Sequence, residues 1–249
     1  MDNNRTQSNH LSEAGIPSGF DALDRFTGGW HAGDLIVIGS RPYGGKSSFA
    51  LQTASRMALS GTPVLLFSVE MAAGNAARRL LLQQGAPADG KIDPDIWEPL
   101  EGRLQKLAKA PLYIDDTPCI LIGDLVKTIE RAVHENGIKV AIIDYVQLVR
   151  GPQLETRPSR QEEVGFVVRE LKRCAREQDI AIIALSQMSR FLKGEPRLSD
   201  LRESTDLAEV SDTVVFVSKE GFTVAKNHSG TVGAVTGVQF SEESLTFNA

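Results

Sequence analysis

Ser40-Arg41-Pro42-Tyr43-Gly44-Gly45-Lys46-Ser47 follows the apolar run Leu35-Ile36-Val37-Ile38 and leads into a helix-like stretch. Strand, small permissive loop, Lys-Ser and helix in that order make a phosphate-binding loop. Backbone N–H groups wrap the phosphates, the lysine reaches the outer ones, the hydroxyl ligates magnesium, and the helix N-terminus adds positive dipole. Ser40 stands where the G-x-x-x-x-G-K-[S/T] pattern has its first glycine, with Gly39 beside it and Gly44-Gly45 keeping the turn flexible. A plain Gly-rich turn accounts for the glycines but not for the order of strand, loop, Lys-Ser and helix. The expected nucleotide contacts are Ser40, Arg41, Pro42, Tyr43, Gly44, Gly45, Lys46, Ser47 and Ser48, with ATP and magnesium as the ligands.

The rest of the chain alternates short β-branched runs with longer helical patterns, which predicts an α/β fold with a mostly parallel sheet and helices on both faces. Expected strands are Leu35–Ile38, Val64–Val69, Leu112–Ile114, Val140–Ile143, Ile180–Leu185 and Thr213–Val217. Phe222–Lys226 and Val235–Phe240 read as a terminal hairpin around Ser229-Gly230-Thr231. Apolar residues at helical spacing predict helices over Ser48–Leu59, Ala72–Gln84, Ile122–Glu135 and Gln161–Gln178. Between Gly85 and Leu112, four prolines bracket one helix near Trp97–Leu107. Residues 1–14 are polar and read as a flexible tail, leaving 15–249 as one domain.

At 249 residues, 41% hydrophobic and 24% charged, the chain can bury a large core. Its net charge of −5 argues against a broadly basic nucleic-acid coat but leaves room for a local basic strip. Cys119 and Cys174 stand far apart with no C-x-x-C pair, which fits a reduced cytoplasmic setting. No run is long enough to span a bilayer, so no membrane partner is expected.

In an open parallel sheet, ligands bind beyond the carboxyl ends of the strands. The first strand leads into the phosphate loop, the second ends in Glu70, the Val140 strand ends in Asp144, and the Ile180 strand ends in Ser186-Gln187. An acid after an apolar strand can hold magnesium through water. A second carboxylate can orient or deprotonate attacking water, and a glutamine can contact the γ-phosphate. Singly, each reads as a turn residue or a helix cap; together on one edge they read as a triphosphate site. Tyr145 and Met188, beside these strands, are expected to pack.

Six segments, in order, resemble the RecA-like motor domain of DnaB-type replicative DNA helicases. They are Gly15-Ile16-Pro17-Ser18-Gly19-Phe20, the Ser40–Ser47 loop, Phe67-Ser68-Val69-Glu70-Met71, Ile143-Asp144-Tyr145-Val146-Gln147-Leu148, Ser186-Gln187-Met188-Ser189-Arg190 and Leu198-Ser199-Asp200-Leu201-Arg202-Glu203-Ser204. The resemblance runs from about Gly15 to Phe240, and that family's loop also lacks the first glycine. It implies a RecA-like P-loop fold and ATP hydrolysis with magnesium. Lys46 and Ser47 would bind phosphate and magnesium, Glu70 would be the catalytic base, Asp144 the metal-associated acid, and Gln187 the link from γ-phosphate to DNA. It also implies a homo-hexamer acting on single-stranded DNA.

The sequence departs from that family in two places. The family's motor follows an amino-terminal helical domain and a linker helix, whereas this chain opens on a short polar tail, which leaves primase contact and a stable ring open. At Lys226-Asn227-His228 the family presents a Lys-x-Arg pair to a neighbour's γ-phosphate; Lys226 matches, and His228 replaces the finger arginine. Both are trans-acting candidates, with a hairpin surface role the alternative for His228. Loops that track a DNA strand in the family correspond to segments carrying Arg157, Arg160, Arg190, Arg197 and Arg202, which are either DNA contacts or ordinary solvated charges. The alternative to a motor is a nucleotide-regulated DNA-binding accessory protein that uses ATP to switch assembly.

Overall fold

Alternate residues of each apolar run face opposite sides of one sheet, and each side builds its own core. Leu35 and Val37 join Ile143, Ile182 and Ala184 on one face, while Ile36 and Ile38 join Leu66, Ile142 and Ile183 on the other. The structure, a computed structural model, describes residues 15–91, 94–152, 158–191, 194–201 and 205–248. The expected tail at 1–14 lies outside them.

The chain forms α1 (Asp21–Thr27), β1 (Leu35–Ser40), α2 (Lys46–Leu59), β2 (Val64–Ser68), α3 (Ala73–Gln83), α4 (Pro94–Lys109), β3 (Leu112–Asp115), α5 (Ile122–Asn136), β4 (Val140–Asp144), α6 (Arg160–Gln178) and β5 (Ala181–Gln187). After these come α7 (Asp206–Val210), β6 (Thr213–Ser218), β7 (Gly221–Asn227), β8 (Gly233–Val235), β9 (Gln239–Ser241) and β10 (Thr246–Asn248). The eight-stranded sheet has the order β3-β2-β4-β5-β1-β6-β7-β8, with β9 and β10 as a separate pair. Pairing is parallel from β3 through β6 and antiparallel from β6 to β8.

Helices α5 and α6 cover the face built on Leu35 and Val37, through Leu125, Ile129, Val164, Val168 and Leu171. Helices α1, α2 and α3 cover the other through Leu23, Phe49, Ala54 and Leu80. The α6 start is fixed by a capping box: Ser159 accepts from the Glu162 N–H, and the Glu162 carboxylate accepts from the Ser159 N–H. Gly28 and Gly137 end α1 and α5 in the left-handed conformation.

The expected strands and helices lie within a few residues of these elements. Pro99 sits inside α4 as its sixth residue, where it had been expected only to bracket a helix. The terminal hairpin exists as β7 and β8, but its second strand stops at Val235. Residues 236–238 turn the chain away, so Phe240 belongs to β9, paired with β10 through Phe247. Three-residue strands carry too short a period to be separated by alternation alone.

Candidate nucleotide-binding site

Register brings the polar strand ends together. Ser40 pairs with Gln187 across β1 and β5, and Ser68 with Asp144 across β2 and β4, so the loop after β1, Glu70, Asp144 and Gln187 share one edge of the sheet. The loop turns through Tyr43 at φ 62° and Gly45 at φ 92°, both left-handed. At Gly45 the need for glycine is double, since an added Cβ would also meet the Phe247 ring at 2.7 Å. Ser40 is completely enclosed as the last residue of β1, and its hydroxyl lies beneath Gly44, where an added Cβ would meet it at 2.4 Å. A serine therefore fills the space beneath the turn. No side chain caps α2, leaving its first N–H groups for a ligand.

A cavity of about 710 Å³ lies over this loop, lined by Arg41, Pro42, Tyr43, Gly45, Lys46, Ser47 and Ser48, together with Glu70, Gln187 and Arg190. Ser40 and Gly44 lie off its wall. Lys46 is 8% exposed; its ammonium donates to Asp144, lies 3.5 Å from a Glu70 carboxylate oxygen, and sits 4.4 Å from the Tyr145 ring centre. Tyr145 thus does more than pack. Asp144 is buried at 3% exposure, whereas the Glu70 side chain is half exposed. Of the two acids beside Lys46, Glu70 is the one with access to water in the cavity.

Several wall residues were not read from the sequence. Phe240, Glu242 and Leu245 come from the β9–β10 hairpin, Lys219 from the β6–β7 turn and Arg79 from α3. The hairpin is anchored to α2 by Gln52, whose amide donates to the Phe247 carbonyl at 2.9 Å and accepts from the Phe247 N–H at 2.7 Å. Gln83 adds donations to the Ser48 and Leu245 carbonyls at 3.0 and 2.9 Å. Behind the loop, Phe49 stacks on Phe20 with ring centres 5.2 Å apart, and Phe222 and Phe247 meet at 4.9 Å. Aromatic pairs add about 0.5–1.5 kcal/mol each beyond burial, so this cluster stiffens the base of the loop.

Gln147 is a further residue that only its motif context marked. Its amide donates to the Ser186 hydroxyl at 2.9 Å and accepts from the Gln187 N–H at 3.3 Å. Its carbonyl accepts from Arg160, whose guanidinium also pairs with Glu163 at 2.5 Å. Arg160 is therefore joined to the glutamine strand end through Gln147. Arg190 lines the nucleotide cavity, Arg197 is exposed at the turn Leu198–Asp200, and Arg157 and Arg202 lie outside the described residues.

Lys226 and His228 sit at the opposite edge of the sheet, where Thr213 starts β6 opposite Asn227. Lys226 donates to the carbonyls of Ala208, Glu209 and Ser211 at 2.8, 3.1 and 2.6 Å, closing the end of α7. Burial lowers its pKa, opposed by Asp212 and Glu209. His228 is 57% exposed at its side chain, with Nδ1 3.6 Å from Asp212. Neither can reach the cavity of its own chain.

Among the described residues, no cluster of three or more His, Cys, Asp or Glu side chains could hold a metal alone. Ser47, Asp144 and Glu70 offer hard oxygen donors that fit magnesium only when phosphate oxygens complete its shell. No helix of the described residues is long and apolar enough to cross a membrane.

A model of the DnaB-like helicase C-terminal domain matches residues 15–248. The chain is 36% identical to the replicative DNA helicase DnaB of Geobacillus stearothermophilus, over 89% of this chain and 54% of the relative. It is 34% identical to the replicative DNA helicase DnaC of Bacillus subtilis (strain 168), with the same two coverages of 89% and 54%. The chain thus spans about half the length of these curated relatives. A solved DnaB-like replicative helicase, described together with its interactions with primase, superposes with a TM-score of 0.84 at 29% identity, covering 97% of this chain and 63% of that one.

Proposed function

The chain belongs to the DnaB-like helicase C-terminal domain family, and from that membership and the geometry of the cleft we propose that it is an ATP-hydrolysing motor of the DnaB type acting on single-stranded DNA. The observation that carries this reading is the convergence of Lys46, Ser47, Glu70 and Gln187 on one cavity from three strand ends.

The loop N–H groups and Lys46 hold the β- and γ-phosphates, with Lys46 exchanging carboxylate partners for phosphate oxygens of the same charge. Ser47 and Asp144 would hold magnesium, which would neutralise charge on the phosphates. Glu70, half exposed and facing the cavity, orients water and takes its proton as the water oxygen attacks the γ-phosphorus and the bond to the bridging β-phosphate oxygen breaks, with ADP as the leaving group. Phe240 and Leu245 offer the base an apolar wall. Gln187 contacts the γ-phosphate, and its link through Gln147 to Arg160 gives nucleotide state a path to the segment before α6. That segment, with Arg157, Arg160, Arg197 and Arg202, is the DNA-facing side of this reading. Arg190 belongs instead to the nucleotide cavity.

Lys226 and His228, remote from their own cavity, act on a neighbouring copy within a ring, a hexamer by family likeness. Cys119 and Cys174 are both free thiols, in keeping with a cytoplasmic setting. The engagement of Lys226 by three carbonyls favours a second reading, in which ATP switches assembly without driving unwinding. Solution mass with and without ATP and single-stranded DNA, paired with ATPase rates in the same samples, separates the two. A motor shows DNA-stimulated turnover in a ring; assembly on ATP binding with no DNA stimulation supports the switch.

A further inference from the structure

A second cavity of about 490 Å³ adjoins the nucleotide cleft on its α3 side and shares Ser47, Glu70, Arg79 and Leu245 with it. Its own wall carries Asn75 and Arg78. Arg78 and Arg79 are neighbours on α3, so their side chains leave the helix about 100° apart, yet both line this hollow. Neither makes an ion pair or side-chain hydrogen bond among the described residues. Arg160, Arg169 and Arg173 are ion-paired, with Glu163, with Asp206, and with Glu170 and Glu177 respectively; other exposed arginines such as Arg131 and Arg176 are unpaired among the described residues but do not line this hollow. The negative group on this wall is Glu70, itself 3.5 Å from Lys46. The hollow therefore carries unneutralised positive charge beside the place where the γ-phosphate would be cleaved.

We propose that this side cavity is an oxyanion site that receives inorganic phosphate after ATP cleavage, an assignment that rests on the ATPase reading. Once the bond to the β-phosphate oxygen breaks, phosphate faces ADP, of like charge, and is driven from the loop. The way past Ser47 and Glu70 leads to two forked guanidinium groups, which bind tetrahedral oxyanions through paired, charge-assisted hydrogen bonds. Asn75 adds an amide donor. Arg79, on the walls of both cavities, is the hand-over residue, and Arg78 belongs to the second cavity alone.

Equilibrium dialysis of radiolabelled inorganic phosphate against the chain saturated with ADP and magnesium tests this. Wild type is expected to bind one phosphate saturably. Arg78→Gln should bind it at least tenfold more weakly with unchanged ADP affinity, and Arg78→Lys should recover part of the loss. No saturable phosphate binding in wild type, or equal affinity in Arg78→Gln, overturns the site. The ATPase assay is separate: phosphate binding that depends on Arg78 in a protein without hydrolysis would keep an oxyanion site and remove its role in product release.

Discussion

The ammonium of Lys46, the first residue of α2, donates to the carboxylate of Asp144, the last residue of β4, past the end of β5, which separates β4 from β1. Both partners are buried, so each is needed to satisfy the other. Lys46→Ala leaves Asp144 without its cation and should lower stability by roughly 2–4 kcal/mol, besides removing nucleotide affinity. Adding Asp144→Asn should restore most of the stability and none of the affinity. Urea denaturation and nucleotide titration of both variants check this, and recovery of binding in the double variant would count against the phosphate role of Lys46.

Gln52 ties the β9–β10 hairpin to the helix of the phosphate loop through the Phe247 backbone. Gln52→Leu leaves two buried backbone groups unpaired and should cost about 2–4 kcal/mol, with a raised KM for ATP. Phe247→Ala should cost about 3–5 kcal/mol by emptying the aromatic cluster under Gly45. An unchanged KM in a folded Gln52→Leu protein would show that the hairpin does not shape the cavity.

The pKa of Asp34 is raised, by burial first and by Asp212 second. Folding therefore disfavours its charged form. The penalty is full above the raised pKa and vanishes below the ordinary aspartate value of about 3.9, where both states are protonated. Asp34→Asn should raise the Tm at neutral pH, and the gain should fade as pH drops through the carboxylate range. Thermal melts across pH check the sign; a gain that grows on acidification would contradict it.

A histidine at position 228 lacks the forked guanidinium of an arginine, and its own chain's cavity lies at the other end of the sheet. If it serves a neighbour's γ-phosphate, His228→Arg should raise ATPase rate about tenfold or more, and the gain should grow with protein concentration as subunits associate. A dilution series of both proteins measures this. No gain in demonstrated assemblies would remove the residue from the site.

Much of this architecture was legible because β1, β2, β4 and β5 are buried on both faces and read as continuous apolar runs ending in chemistry. The loop and the edge shared by Glu70, Asp144 and Gln187 followed from that. The wall supplied by Phe240 and Leu245 did not, because β9 and β10 have three residues each and gain their meaning from Gln52, almost two hundred positions away. Arg79 lay in an expected helix, but which side of α3 met the cavity depended on how α2 and α3 pack. Arg160 reads in the sequence as either a DNA contact or a solvated charge; only the fold shows its guanidinium on the Gln147 carbonyl.

The most direct measurement of the central claim is ATP hydrolysis by the wild-type chain and by Glu70→Gln at matched nucleotide occupancy. The substitution keeps size and hydrogen bonding while removing the base, so ATP affinity should stay within a few-fold while single-turnover hydrolysis falls by about 10²–10⁴-fold. Equal hydrolysis in the two proteins, with ATP bound equally, would contradict the assignment of Glu70 and with it the proposed mechanism of this cleft.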